Sequence, residues 1–306
     1  MGVGRFAPSP TGQLHLGNLR TAILAWLFAK STDRQCLLRV EDLDRVRSGA
    51  EEQQLSELAA IGLEFDSPLV RQSERLPVYL DAIQSLRDKD LLFECFCTRK
   101  DISEAASAPH AAPGAYPGTC RNLSPEERAE KAKERPAALR LRAAVAQFTV
   151  HDVIFGQYTG VVDDFVLLRN DGSPAYNLAV VVDDGAYGID QVVRGDDLLS
   201  SAPRQAYLAQ LLGMPIPTYA HVPLALNSQG QRLAKRDGAV TLEDLSEKGV
   251  NGAQIRAYLL ESLGLPGTSL QAALDSFNPD DLPREPWVVE PEFIVDQLMP
   301  PASRNR

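Results

Sequence analysis

RFAPSPTGQLHLGNLR, residues 5–20, is the stretch on which the reading of the whole chain turns. Its apolar opening, part of VGRFA, reads as a short buried strand, and a turn built from Pro8, Pro10 and Gly12 follows. An amphipathic run then sets Leu16, Leu19, Ile23, Trp26 and Leu27 at helical spacing, with His15 where that helix begins and Gly17 just inside it. A strand, a Pro/Gly turn and a helix start bearing an imidazole make a cradle for a polyphosphate, because free backbone N–H groups and the helix dipole both face the anion. His-x-Gly alone would suit an ordinary turn with a solvated histidine equally well. The complete string is far more specific.

Working outward, strand and helix signals alternate through the first part of the chain. QCLLRVED (35–42) reads as a buried strand. EEQQLSELAAIG (51–62) reads as a helix with Leu55, Leu58 and Ile61 inward and Gly62 at its end. LPVYLDAIQSLRDKDLLFE (76–94) reads as one further helix. This rhythm predicts a parallel sheet covered by helices. The pattern breaks at Cys95. Residues 98–137 are rich in Ala, Pro, Ser and charge with little apolar periodicity, which predicts an insertion. Strand signals return at AQFTVHDVIFGQYTG and DFVLLRND, and the αβ rhythm resumes as far as about residue 226. LEDLSEKGVNGAQIRAYLLESLGL predicts helices, and PDDLPREPWVVEPEF an irregular end.

At 306 residues the chain can hold about two or three structural units with a real core. Its 44% hydrophobic and 24% charged residues are ordinary for a soluble globular protein. No segment approaches the roughly twenty apolar residues of a membrane span, and no charged-then-apolar leader opens the chain. A cytoplasmic protein without membrane contact is expected. The net charge of −10 argues at first against a nucleic-acid partner. Its distribution softens that objection: residues 94–142 hold nine Lys/Arg against seven Asp/Glu, whereas 240–306 hold five against eleven. A polyanion is expected to dock on the middle segment and avoid the tail.

Four cysteines in this length do not suggest a disulfide framework. Cys95, Cys97 and Cys120 cluster, and Cys-x-Cys with a third thiol further on can complete most of a tetrahedral zinc site. A fourth ligand is needed, for which His110 is the better donor by general zinc chemistry. Metal would supply folding energy that the weak core of this insertion cannot. Cys36 lies in a strand and reads as an inert core thiol.

The opening string resembles the HIGH motif of class I aminoacyl-tRNA synthetases, in its glutamyl/glutaminyl form. Two further blocks extend the likeness, DDFVLLRNDGSPAYNLAVVVDD (163–184) and VVRGDDLLSSAPRQAYLAQLLG (192–213). Taken singly each has a structural excuse: NDG is a turn signal, AVVV a buried strand or helix segment, and Asp183–Asp184 a cap for the next element. With RVEDLD (39–44), GLEFDSP (62–68), QSERLPVY (72–79) and PLALNSQGQRLAKRDGAVTL (223–242), they resemble the glutamyl-tRNA synthetase core over roughly residues 3–250. Only about sixty residues follow Leu242, too few for that family's large helical anticodon-binding region. The shortened form resembles the glutamyl-Q tRNA(Asp) synthetases, which transfer activated glutamate to queuosine at the wobble position. Val180 agrees, standing where glutamyl-tRNA synthetases usually carry Asn.

The resemblance implies an α/β fold: a Rossmann-type class I synthetase catalytic domain, a zinc-bearing insertion and a short helical C-terminal region, without an anticodon-binding domain. The expected division is 1–93 for the first catalytic half, 94–165 for the insertion with its acceptor-side RNA contact, 166–226 for the second half, and 227–306 for a KMSKS-like loop and C-terminal helices. Glutamate brings two carboxylates and an ammonium, so its pocket needs Arg and a carboxylate. By resemblance Arg5 and Arg194 bind carboxylate, Glu41 pairs with the amino group, and Ala7, Ser9 and Tyr176 complete the pocket. His15, Gly17, Asn18 and Lys235 are expected at ATP, with His15 and Lys235 catalytic. Asn18 replaces the second His of HIGH, and Arg232 and Ala234 depart from the usual Lys and Ser of the KMSKS-like loop. Tyr116 occupies the family's unusual ligand position and is favoured over His110 beside Cys95, Cys97 and Cys120. The expected cofactors are one structural Zn2+, with Mg2+ accompanying ATP. The expected partners are L-glutamate, ATP and tRNA(Asp) carrying queuosine, acting on a monomer. The rival readings are a minimal glutamyl-tRNA synthetase charging the 3′ end of tRNA(Glu), and an inactive regulator that binds ATP or tRNA.

Overall fold

A computed structural model describes residues 2–98, 100–102, 116–231, 233, 240–289 and 298. From the N-terminus, β1 (Val3–Phe6), α1 (Leu16–Lys30), β2 (Gln35–Val40), α2 (Ala50–Ala60) and β3 (Asp66–Arg71) form two successive crossover units. Helix α3 (Leu76–Asp88) leads to a small antiparallel sheet of β4 (Leu92–Cys95), β5 (Ala138–Leu141) and β8 (Val166–Leu168), with helix α4 (Pro125–Glu134) between β4 and β5. The hairpin β6 (Gln147–Asp152) and β7 (Gly156–Val161) precedes β8. Helix α5 (Tyr176–Ala186), β9 (Gln191–Gly195), α6 (Ala202–Leu212) and β10 (Thr218–Val222) then rebuild the crossover pattern. After β11 (Ala225–Leu226) come the helices α7 (Leu242–Glu247), α8 (Gly252–Glu261) and α9 (Leu270–Asp275), and finally β12 (Trp287–Val288), which pairs with β11.

The large sheet has the order β3-β2-β1-β9-β10-β6-β7, parallel throughout except for the antiparallel edge strand β7. Its central strands β2 and β9 are buried Val/Leu-rich runs, as the middle of a sheet covered on both faces requires. The β6–β7 hairpin falls inside the span 94–165 in sequence, yet it joins this large sheet by pairing Asp152 with Tyr219.

Three local readings change, and one left open is decided. Residues 76–94 are not one helix: α3 stops at Asp88, Asp90 takes a left-handed φ of 55°, and the apolar LLFE segment pairs as β4. Segment AVVV lies in a helix, with Val180, Val181 and Val182 all buried. Asp183 and Asp184 sit within α5 instead of capping a following element. The C-terminal WVV contributes strand β12, because an open edge at β11 offers it a ladder.

Helix α1 is covered on nearly every side, with eleven of its fifteen residues buried. The large sheet takes one face; α8 and α9 take the other. Leu16, Leu19 and Ile23 therefore share one apolar core with Leu245, Ile255, Leu259 and Leu263. Arg20 pins this junction: fully buried, it donates to the Pro223 carbonyl at 3.1 Å and to Ser262 Oγ at 3.1 Å. Among the described residues no helix is long and apolar enough to cross a membrane.

Candidate active site

Strand β1 lies between β2 and β9, the point at which the strand order reverses direction, and open α/β sheets bind ligands outside the carboxyl ends of their strands at that point. A cleft of about 730 Å³ opens there. Arg5, Ala7, Ser9, His15, Gly17, Asn18, Glu41, Tyr176 and Arg194 all line it. Arg5 stands near the end of β1, Glu41 follows β2, Arg194 is in β9, and Tyr176 opens α5. Lys235 and its neighbours Arg232 and Ala234 lie outside the described residues. Leu233 lines the same cleft, and Thr241 forms a β-bridge with His15.

His15 is the N-cap of α1. Its Nδ1 accepts from the Asn18 backbone N–H at 3.2 Å, while the Asn18 side-chain oxygen accepts from the His15 backbone N–H at 3.2 Å. This reciprocal box satisfies helix-end donors and leaves a neutral His15 ring carrying its proton on Nε2. Asn18 thus does its visible work on the backbone. Gly17 is dictated by space: a Cβ there would lie 2.9 Å from the Ala225 Cβ and 3.1 Å from the His15 ring.

Beneath the cleft lies a buried charge cluster whose supporting members sequence reasoning missed. Arg5 Nε donates to Asp184 at 3.2 Å; Arg39 donates to Asp184 at 2.5 Å and to Glu41 at 3.1 Å. Asp183, 4.0 Å from Arg39 Nε, is held by Gln72 at 2.8 Å, Arg75 at 2.6 Å and Tyr79 at 2.9 Å. Burial works to raise the Asp184 carboxyl, but the Arg5 and Arg39 charges outweigh it and hold the group below its usual range. Burial dominates at Glu41 and pushes its carboxyl up, with Arg39 and Arg5 opposing. The signals were RVED, from which only Glu41 was assigned a role, and the Asp183–Asp184 pair, which reads as a cap until α5 is known to continue through it.

Arg194 is buried and oriented on three sides. It donates to His221 Nε2 at 3.0 Å, to Gln205 Oε1 at 2.8 Å and to the Leu198 carbonyl at 3.4 Å. Gln205 in turn donates to Asn177 Oδ1 at 3.0 Å.

The sulfurs of Cys95, Cys97 and Cys120 converge away from the cleft, all within 4.8 Å of one another. Cys97 and Cys120 stand 3.6 Å apart, close to the roughly 3.7 Å edge of a tetrahedron with metal–sulfur bonds of about 2.3 Å. Burial, then the neighbouring thiols, push the Cys97 thiol up to about 12, so a cation is what would let three thiolates coexist. The donor set fits a metal ion. The Tyr116 hydroxyl lies 3.4 Å from Cys95 Sγ and 3.9 Å from Cys97 Sγ, and it accepts from the Cys120 backbone N–H at 2.8 Å. The Arg140 guanidinium covers the Tyr116 ring at 3.8 Å. His110 lies outside the described residues.

A parallel sheet with its cleft at the switch point, a His-capped helix start and buried arginines lining that cleft make a site suited to a nucleotide and an anionic substrate. Comparison with known proteins agrees. The family model "tRNA synthetases class I (E and Q), catalytic domain" matches residues 3–287. A glutamyl-Q tRNA(Asp) synthetase of Nocardia farcinica is 62% identical over 94% of this chain and 93% of its own length. One from Cutibacterium acnes is 53% identical over 86% of this chain and 76% of its own. The crystal structure of a glutamate tRNA ligase from Elizabethkingia meningosepticum, in complex with its amino acid, superposes with a TM-score of 0.80 at 28% identity, covering 95% of this chain and 67% of that one. The chain belongs to the class I glutamate/glutamine tRNA synthetases and, within them, to the glutamyl-Q tRNA(Asp) synthetase family.

Proposed function

We propose that this chain activates L-glutamate with ATP and transfers the glutamyl group to queuosine at the wobble position of tRNA(Asp). The observation that carries the reading is the convergence, in one cleft, of two buried arginines, a buried carboxylate and a helix start capped by an imidazole. The near-complete coverage of the glutamyl-Q relative, against 67% of the glutamate tRNA ligase, supports the choice of acceptor.

In the first step the glutamate α-carboxylate attacks the α-phosphorus of ATP, and pyrophosphate leaves. Arg5 and Arg194 hold the two carboxylates, Glu41 meets the ammonium, and Ala7, Ser9 and Tyr176 close the pocket. No protein nucleophile is needed; the site positions the reactants and stabilises charge on phosphoryl oxygens. His15 offers its Nε2–H there, Gly17 and Asn18 bring the start of α1 close, and Lys235 adds a cation. Magnesium travels with ATP as part of the substrate. In the second step the queuosine acceptor attacks the acyl carbon and AMP leaves. Cys95, Cys97, Cys120 and Tyr116 would hold a zinc ion, which would supply folding energy to an RNA-facing module and no chemistry. The expected compartment is the cytoplasm.

Glutamate-dependent ATP–pyrophosphate exchange without tRNA, followed by transfer of labelled glutamate to tRNA(Asp) with and without queuosine, tests the proposal. Exchange without tRNA and transfer only to the queuosine form are expected. Charging of the 3′ end of tRNA(Glu) would make the protein a minimal glutamyl-tRNA synthetase, and absence of exchange in folded protein would make it a regulator.

A further inference from the structure

Two buried residues that do not line the cleft, His221 and Asp152, stand in line behind Arg194. Strands β9, β10 and β6 run side by side, with His221 opposite Arg194 and Tyr219 opposite Asp152. His221 and Asp152 are both completely buried. Asp152 Oδ2 lies 2.6 Å from His221 Nδ1 and accepts the His221 backbone N–H at 3.1 Å. Its Oδ1 accepts the Ile154 and Phe155 backbone N–H groups at 2.8 and 3.0 Å, so this carboxylate has no freedom to turn.

The chemistry of the donors then fixes the proton. A guanidinium carries five N–H donors and no acceptor. The ring nitrogen facing Arg194 Nε must therefore be bare, and the proton must sit on Nδ1, donated to Asp152. An imidazolium would set N–H against N–H. Burial, the largest influence, and the Arg194 charge hold the imidazole below its ordinary range against the opposing pull of Asp152.

We infer that Asp152 and His221 are positioning residues for glutamate recognition: the carboxylate selects the imidazole tautomer, and the bare Nε2 holds the Nε edge of Arg194. With His221, Gln205 and Leu198 taking one N–H each, two donors remain for the cleft in a preset orientation. Preorganisation of this kind removes an ordering cost from binding. The inference rests on the reading of Arg194 as a ligand for a glutamate carboxylate.

Full-length variants separate the possibilities through pyrophosphate exchange, with Arg194→Ala as reference. Asp152→Asn places an amide N–H against Nδ1 and selects the wrong tautomer; His221→Phe removes the acceptor. Each should raise KM for glutamate about tenfold or more while KM for ATP and kcat stay within about twofold. His221→Gln, whose amide oxygen can stand where Nε2 stood, should recover most of the affinity. Nitrogen NMR of the folded wild type should find Nδ1 protonated and Nε2 bare, a readout that survives if a variant fails to fold. A protonated Nε2, equal effects on glutamate and ATP, or no rescue by Gln would overturn the inference. If Arg194→Ala weakens glutamate but Asp152→Asn and His221→Phe do not, the inference falls and the glutamate reading stands. If Arg194→Ala itself leaves KM for glutamate unchanged, both fall.

Discussion

Arg194 and His15 face the same cleft but should fail differently when replaced. Arg194→Ala removes a charge-assisted contact worth about 1.5–3 kcal/mol, so the loss should appear in KM for glutamate. His15→Ala should instead lower the activation rate about a hundredfold with glutamate affinity nearly intact, as for loss of an oxyanion-type donor. Because His15 also caps α1, His15→Asn is the sharper variant: Asn is a good N-cap but cannot supply the distal N–H, so melting temperature should hold while rate falls. Lys235→Ala should behave like His15→Asn. Glu41 adds a pH signature. Burial raises its carboxyl, and only the ionised form can meet an ammonium, so kcat/KM for glutamate should fall as pH drops through that raised value. The acid limb should lie above the ordinary carboxylate pKa of about 4.3 and vanish in Glu41→Gln, which should be weak at every pH. At this scale the motifs made Arg5, Glu41 and Arg194 legible. Their supports Arg39, Asp184, Gln205 and His221 were not, since a buried partner is chosen by strand order and leaves no local spacing.

Helix α1 joins the cleft to the rest of the protein, and two substitutions divide its roles. Gly17→Ala would drive a methyl into Ala225 and the His15 ring; the helix start must shift, and misplacement on the order of an ångström costs about tenfold to a hundredfold in rate. Arg20→Ala should act on stability: it strips a buried carbonyl and a half-buried hydroxyl of their donor and leaves a hole beside Trp287, a loss of about 2–4 kcal/mol readable by urea unfolding. Helix existence was legible from 3.6-residue spacing, and the start of α1 from its Pro/Gly turn. The end of α3 was not, because Asp90 adopts a left-handed φ without any glycine to announce it. Nor was the burial of α1 on both sides, since a helix covered by sheet and helices carries no polar stripe to read.

For the whole molecule, the separation of the cysteine cluster from the cleft predicts separable defects. Chelation or Cys120→Ser should impair glutamyl transfer to tRNA more than tRNA-free pyrophosphate exchange, and should open residues 95–120 to proteolysis first. Metal analysis should find about one zinc per chain, kept in His110→Ala and weakened in Tyr116→Phe. The cluster was legible because its cysteines are near in sequence; the place of the β6–β7 hairpin was not, because its partner β10 lies some seventy residues further on. The same non-local pairing governs how the chain is born. Gly4 in β1 finds its partner Gln191 only after 187 further residues have been made. At ribosomal speeds of about 5–20 residues per second, the growing chain carries an open apolar strand edge for roughly ten to forty seconds. Yield in a cell should therefore depend on translation speed and on chaperones that shield that edge, long before any glutamate is bound.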